Sequence, residues 1–275
     1  MSFVNSKKCF LDSASSRGLC YYLYMKMKHL GSGIVLFEDL LDPAALSAID
    51  LNLIYSQSSE VLIEKEDGRN FLHNGHEILR EEDLQNIPTR FMEKIETIPY
   101  FETLNNALYS ALVEYCKLFP VAVECITNYV GAHFIRYTKG CKMGPHSDAS
   151  LPYEDGTVMP KSFATLGNTL TASIMLNDSF TGGTIYFPAW DIEVIPKPGT
   201  ALMYPSNYIG AHEVREVTSG VRWAYLGFFC HGDRSLITDE PRHKHVARQA
   251  WVEKLKIDVD EKSIKHLNAN QKKVI

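Results

Sequence analysis

The chain has 275 residues and a mass of 31.1 kDa, enough for one sizeable core or for one domain carrying extensions. Hydrophobic residues make up 45% and charged residues 22%, a packed globular balance that excludes a mostly disordered chain. The net charge of -5 and pI near 6.1 argue against nucleic acid as a partner, because the summed field does not attract a phosphate backbone.

Six cysteines, Cys9, Cys20, Cys116, Cys125, Cys141 and Cys230, are scattered without CxxC pairs. That spacing suits reduced thiols rather than a disulfide framework or a zinc site. No apolar run reaches signal-peptide or membrane-span length, so the expectation is a cytoplasmic protein with no membrane association.

Residues 1–30 show no clean period and are read as an N-terminal extension. GIVLFEDLLDPAALSAIDLNLIY, from Gly33 to Tyr55, reads as a short strand, a helix start marked by Pro43 and an amphipathic helix. A polar stretch from Ser56 to Asn86 precedes FETLNNALYSALVEYCKLF, where Leu104, Leu108, Leu112, Tyr115 and Phe119 keep helical spacing. This helix is expected to pack on a sheet. From Val130 the texture changes to short β-branched and aromatic runs separated by Gly, Pro, Asn and Asp: AHFIRY, TLTASIML, GTIYFP, IEVIP, TALMYP, HEVREV and VRWAYLGFF. Short strands preceded by helices predict a mainly β fold with flanking helices, a double-stranded β-helix or jelly roll. The expected catalytic domain is 31–233, with its jelly-roll core over about 128–232, and 234–275 is read as a helical extension of mixed charge.

His146 and Asp148 stand two apart, a spacing that puts both side chains on one face of an extended chain, where they can share an ion. Two His and one carboxylate on one side of a metal, with positions left open, form the facial triad of non-haem iron oxygenases. A distant third ligand is then needed, and His212, opening HEVREV, is the candidate. An HxD pair alone is weak: ten His and thirty-three acidic residues make chance pairs common, and the plain reading is a surface turn. Arg222 follows His212 by ten residues and sits between Val221 and Trp223 in an apolar run. A surface ion pair is the ordinary fate of an arginine, but a guanidinium inside an apolar strand needs an anion, and a dicarboxylate supplies one through a bidentate grip.

Taken in order, these segments resemble the 2-oxoglutarate and Fe(II)-dependent dioxygenases, specifically the prolyl 4-hydroxylase-like branch, over roughly Val130 to Phe229. In IRYTKGCKMGPHSDAS, Tyr137 stands nine and Gly140 six residues before His146, as in that branch. NTLTASIMLND with FTGGTIYFP resembles its strand, double-glycine turn and FP ending. IEVIPKPGTALMYP is similar to its next hairpin, and HEVREVTSGVRWAYLGFF carries the distal His and the basic residue ten positions on. The resemblance implies Fe(II) held by His146, Asp148 and His212, and 2-oxoglutarate as cosubstrate. Its distal carboxylate would be bound by Arg222 with hydroxyls from Tyr137 and Thr171. Against those last two stand plain alternatives, a ring packed in the core and an ordinary strand residue. The resemblance also implies O2 as partner, release of succinate and CO2, ascorbate as a candidate reductant, and hydroxylation of an unactivated C–H of a peptide (prolyl-type) or small molecule. Gly182 and Gly183 are read as a tight turn, and Phe187 and Pro188 as core and edge.

The pattern departs from the branch at three places: Met143 where it often has Tyr, Phe228 where many prolyl hydroxylases have Trp, and Cys230 where a polar residue is common. The interval ASLPYEDGTVMPKSFATLGN, Ala149 to Asn168, has the length of a lid and is expected to govern substrate choice. The other readings weighed are a catalytically silent jelly-roll binding module, a nucleobase demethylase, and a cupin-like isomerase. The demethylase lacks its paired arginines after His212, and the isomerase has no need of Arg222.

Overall fold

The computed structural model describes residues 25–56, 62–66, 69–72, 78–79, 89–91, 95–149, 166–195, 197–232 and 252–259. The proposed lid lies mostly outside these residues, as do most of the N-terminal extension and the rest of the C-terminal one. Strands β1 (Lys26–Gly31) and β2 (Ile34–Glu38) form a hairpin turned at Ser32 and Gly33, so pairing begins inside the stretch read as extension.

The single helix expected after Pro43 is two short ones, α1 (Pro43–Ser47) and α2 (Leu51–Ser56). Each starts on an aspartate that accepts from free backbone N–H groups: Asp42 from Ala45, and Asp50 from Asn52 and Leu53. The second cap begins a new helix where the apolar period alone reads as continuous. Strands β3 (Leu62–Glu66), β4 (Arg69–Leu72) and β5 (Ile78–Leu79) make a small sheet of their own, and β6 (Thr89–Phe91) follows.

Helix α3 (Ile98–Leu118) carries Pro99 in its first turn, where the missing N–H costs nothing, and stops before Pro120. Beyond it run β7 (Asn128–Tyr137), β8 (Met143–His146), β9 (Leu166–Met175), β10 (Phe180–Gly182), β11 (Ile185–Phe187) and β12 (Ile192–Val194). The last four are β13 (Ala201–Pro205), β14 (His212–Val214), β15 (Val217–Gly220) and β16 (Arg222–Gly232). The HEVREV run is divided between β14 and β15, and β8 and β10 arise from segments too short and polar to read as strands.

Among the described residues, a seven-stranded sheet runs in the order β1-β2-β13-β9-β16-β7-β6 and a four-stranded sheet in the order β12-β11-β14-β8, with antiparallel pairing throughout. Period-two alternation gives the large sheet two apolar faces. On β13, Ala201 and Met203 face one core while Leu202 and Tyr204 face the other; on β16, Trp223 and Tyr225 oppose Arg222 and Ala224.

The first core is closed by α3, which buries Phe101, Leu104, Leu108, Leu112 and Tyr115 at intervals of three and four. Leu255 and Val259, from the helical turn at 252–259, complete it. The second core lies between the sheets, where Ile185, Phe187 and Val214 of the small sheet meet Ile135, Met175 and Leu202 of the large one. This is the two-sheet jelly roll, with its helix buttressing the outer face. Conserving that buttress is a matter of packing, so Leu108→Ala, at a fully buried position, should cost about 2–5 kcal/mol in urea denaturation. It should leave ligand affinity at the opposite face unchanged.

Candidate metal and cosubstrate centre

The small sheet brings the separated histidines together. His146 closes β8 and His212 opens β14, and the two are direct cross-strand partners with ring centroids 4.4 Å apart. Asp148 follows in the turn. One ligand atom from each of His146, Asp148 and His212 lies within 4.8 Å of the others.

The tautomers are set by the backbone. His146 Nδ1 is 2.8 Å from the Gly144 carbonyl and His212 Nδ1 is 3.0 Å from the Gly210 carbonyl. A carbonyl only accepts, so each Nδ1 carries the hydrogen and each neutral ring keeps its lone pair on Nε2. Gly210 reaches this position because it has no Cβ, which would stand 1.9 Å from the Pro205 carbonyl oxygen.

Burial weighs against the charge of Asp148, but the neighbouring imidazoles of His146 and His212 and the hydrogen bond from the Thr171 hydroxyl outweigh it and hold the carboxyl below its ordinary pKa. For His212, burial is the larger effect and overcomes the attraction of Asp148, which lowers the imidazole pKa and keeps the ring neutral. The centre therefore offers two imidazole lone pairs and one carboxylate oxygen, a donor set that suits Fe(II) with positions left open.

The turn carrying Asp148 is tied down at several points. Ser147 Oγ and the Ala149 N–H both donate to the Ser206 carbonyl, each at 2.7 Å, and Asn168 Nδ2 donates to the Asp148 carbonyl at 2.9 Å.

Arg222 opens on the same cavity, opposite Tyr137 across β16 and β7. It is 2% exposed, its Nε has no hydrogen-bond partner, and its Nη2 reaches only the Met175 sulfur at 3.5 Å. Among the described residues no carboxylate pairs with it. The Tyr137 ring lies under the guanidinium at 4.9 Å, a cation–π contact. Burial lowers the Arg222 pKa from its ordinary value, with the phenols of Tyr137 and Tyr204 acting in the opposite direction. Gly183, at φ +62°, makes room: a Cβ there would sit 2.8 Å from Arg222 Cδ. Such an orphaned cation fits one end of a dicarboxylate.

The structure brings five of the six sequence-selected residues to the cavity: His146, Asp148, His212, Arg222 and Tyr137. Thr171 is placed differently. Its fully buried hydroxyl donates to Asp148 Oδ2 at 2.7 Å and meets Ser206 Oγ at 2.9 Å, so it braces the acid. It stands four residues along β9 from Met175, the residue that touches Arg222. Sequence reasoning missed Tyr204, whose hydroxyl lies 3.2 Å from Asp148 Oδ2 and 3.1 Å from His212 Nε2. The signal for it was the alternation in TALMYP, which turns Leu202 and Tyr204 to the same side eight residues before His212.

The sequence model described as the 2OG-Fe(II) oxygenase superfamily matches residues 132–230. No curated protein matches the sequence. Among solved structures, a Trichoplax adhaerens prolyl hydroxylase in complex with a hypoxia inducible factor oxygen degradation domain peptide fragment is 15% identical, with a TM-score of 0.50, over 72% of this chain and 84% of that one. The viral collagen prolyl hydroxylase of Paramecium Bursaria Chlorella virus-1, in a 2OG complex, is 14% identical, with a TM-score of 0.49, over 74% of this chain and 98% of that one. A Pseudomonas putida prolyl-4-hydroxylase is 16% identical, with a TM-score of 0.45, over 73% and 94%. No helix among the described residues is long and apolar enough to cross a membrane. The matched stretch, about a third of the chain, includes every residue that lines the cavity, and over it this chain is similar to the 2OG-Fe(II) oxygenase superfamily, a likeness with which the His146, Asp148 and His212 cluster agrees.

Proposed function

We propose that this protein is a hydroxylase acting on an unactivated C–H of a peptide, with His146, Asp148 and His212 as iron ligands and Arg222 as the anchor of 2-oxoglutarate. The observation that carries the reading is Arg222: a buried guanidinium without a carboxylate partner among the described residues, facing the cavity that also holds the three ligands. A buried cation is costly unless paired, and the distal carboxylate of 2-oxoglutarate supplies the pair. A silent binding module would need an anion there, but would not need three ligand atoms within 4.8 Å of one another.

When bound, iron with 2-oxoglutarate and O2 supplies the oxidising power, converting the cosubstrate to succinate and CO2. The protein's own residues orient and exclude. The Gly144 and Gly210 carbonyls fix the imidazoles, Thr171 holds Asp148, and Arg222 fixes one end of the cosubstrate so that its other end faces the metal ligands. Apolar neighbours such as Ile135, Ile185 and Val214 keep bulk water from this cavity.

Two features favour a peptide as substrate. The similar Trichoplax enzyme was solved with a peptide fragment. In the segments that follow β11 and lead into β14, Trp190 and Tyr208 are 44% and 79% exposed, and Trp190 Nε1 donates to the Ile209 carbonyl beside Tyr208. Exposed aromatics close in sequence to a metal ligand offer flat surfaces for a chain to lie on. The boundaries 31–233 for the catalytic domain and 234–275 for the extension belong to this proposal, as does a cytoplasmic location.

The direct test is anaerobic reconstitution with ferrous iron and 2-oxoglutarate, then admission of O2 with a peptide panel and measurement of succinate. Succinate release stimulated by a peptide supports the reading, and stimulation only by small molecules overturns its substrate class. His146→Ala, Asp148→Ala and His212→Ala should each abolish turnover while the thermal transition is kept. Full turnover in any two of them with stoichiometric iron would remove the ligand assignment. Breaking a buried ion pair by removing one member costs about 3–5 kcal/mol, so Arg222→Ala should weaken 2-oxoglutarate binding by roughly two to three and a half orders of magnitude. Arg222→Lys should recover part of that loss, since charge returns without the bidentate fork. Titration of the iron-to-cosubstrate charge-transfer band under anaerobic conditions measures both.

A further inference from the structure

Tyr204 is fully enclosed in the second core, yet its hydroxyl stands between two of the three ligand side chains. Its ring cannot turn away. It is gripped edge-on by Phe187 at 5.2 Å and by His212 at 4.8 Å, and Gly210 backs it at a distance where even a Cβ would touch Tyr204 Cδ2 at 3.0 Å. Strand β13 lies between β2 and β9 in the large sheet, which fixes the backbone from both sides.

We propose that Tyr204 is a positioning residue that, with Thr171, makes Asp148 a one-oxygen ligand; the proposal rests on reading His146, Asp148 and His212 as the metal site. A carboxylate has two oxygens, and one left free at a metal can close a four-membered chelate and take a second coordination position. Here the two oxygens are differentiated. Oδ2 receives the Thr171 hydroxyl at 2.7 Å and lies 3.2 Å from the Tyr204 hydroxyl, while Oδ1 faces His146 Nε2 at 3.5 Å. Hydrogen bonds to an ionised oxygen are the strong kind, and two of them occupy the lone pairs that a chelate would need.

The phenolic hydrogen has a second acceptor, His212 Nε2 at 3.1 Å. When a metal takes that lone pair, the hydrogen is left to Asp148 alone, so occupation of the histidine tightens the hold on the acid. Thr171 is itself held by Ser206, whose carbonyl receives Ser147 and Ala149 on either side of Asp148. The whole turn is thereby set against one wall of β13 and β9. Keeping Asp148 to one oxygen preserves the position that cosubstrate or O2 must take.

The test titrates Co(II) alone, as a spectroscopic probe, into the full chain and into Tyr204→Phe, which removes the hydroxyl and keeps the ring. The variant should bind one Co(II) with an affinity about 10–100-fold lower, the usual effect of removing a partner that orients a metal ligand. It should stay folded, its thermal transition without metal lowered only by the loss of that one hydrogen bond. Its Co(II) visible spectrum should change, because a purely structural ring would not alter the coordination of the ion. Thr171→Val, which frees the same oxygen, should move affinity and spectrum in the same direction, and the double variant further. Wild-type affinity with an unchanged spectrum in Tyr204→Phe overturns the proposal, as does wild-type behaviour of Thr171→Val should the phenylalanine variant not fold. Failure of the underlying reading is separate: it is seen if His212→Ala binds Co(II) as well as the wild type does.

Discussion

The structure is organised around a cation in the wrong place for stability. Arg222 is among the largest fully buried side chains of the described protein, and its guanidinium meets an aromatic face and a thioether where it would be most stable against a carboxylate. Desolvating such a group costs several kcal/mol after relaxation, and a sulfur contact returns little of it. The fold tolerates this because the rest of the molecule is over-determined. The large sheet is apolar on both faces, one sealed by α3 and the other by the small sheet, so a single unfavourable position is carried by two complete cores.

That arrangement also divides labour between the sheets. The large sheet supplies rigid side chains that act on other groups: Thr171 and Tyr204 on Asp148, and Arg222 on an anion. The small sheet supplies the histidines, whose rings are aimed by carbonyls of their own chain two residues earlier. Neither sheet could make the centre alone. Antiparallel pairing of β8 with β14 brings His146 and His212 together across 65 intervening residues, and only the closure of one sheet on the other sets Tyr204 against both of its acceptors.

Much of this was legible in the residues. The spacing of His146 and Asp148, the run opening at His212 and the ten-residue interval to Arg222 located the cavity, and alternating apolar runs located seven of its strands. What escaped has physical causes. Strand β8, reading MGPH, has neither β-branched residues nor alternation, and is a strand because β14 pairs with it. The break between α1 and α2 turns on Asp50, a capping interaction that periodicity does not register. The resemblance sets Thr171 beside the cosubstrate, and its hydroxyl is found on Asp148 and Ser206, because which neighbour a buried hydroxyl chooses is decided by register between strands. Tyr204 was passed over for the same reason: an aromatic in an apolar strand reads as core, and only the facing sheet shows that its oxygen has work at the metal ligands.

The central claim, that Arg222 is held at the expense of stability for an anionic cosubstrate, is most directly tested by denaturation of the wild type and Arg222→Met with and without 2-oxoglutarate, the divalent metal being supplied throughout. In the absence of cosubstrate, replacing an unpaired buried cation by an apolar side chain of similar length should make the protein more stable. A ligand at 100 times its Kd stabilises the native state by about 2.7 kcal/mol, so 2-oxoglutarate should raise the stability of the wild type by that order and leave Arg222→Met unmoved. A methionine variant that is less stable than the wild type, and that responds to 2-oxoglutarate as the wild type does, would contradict the account.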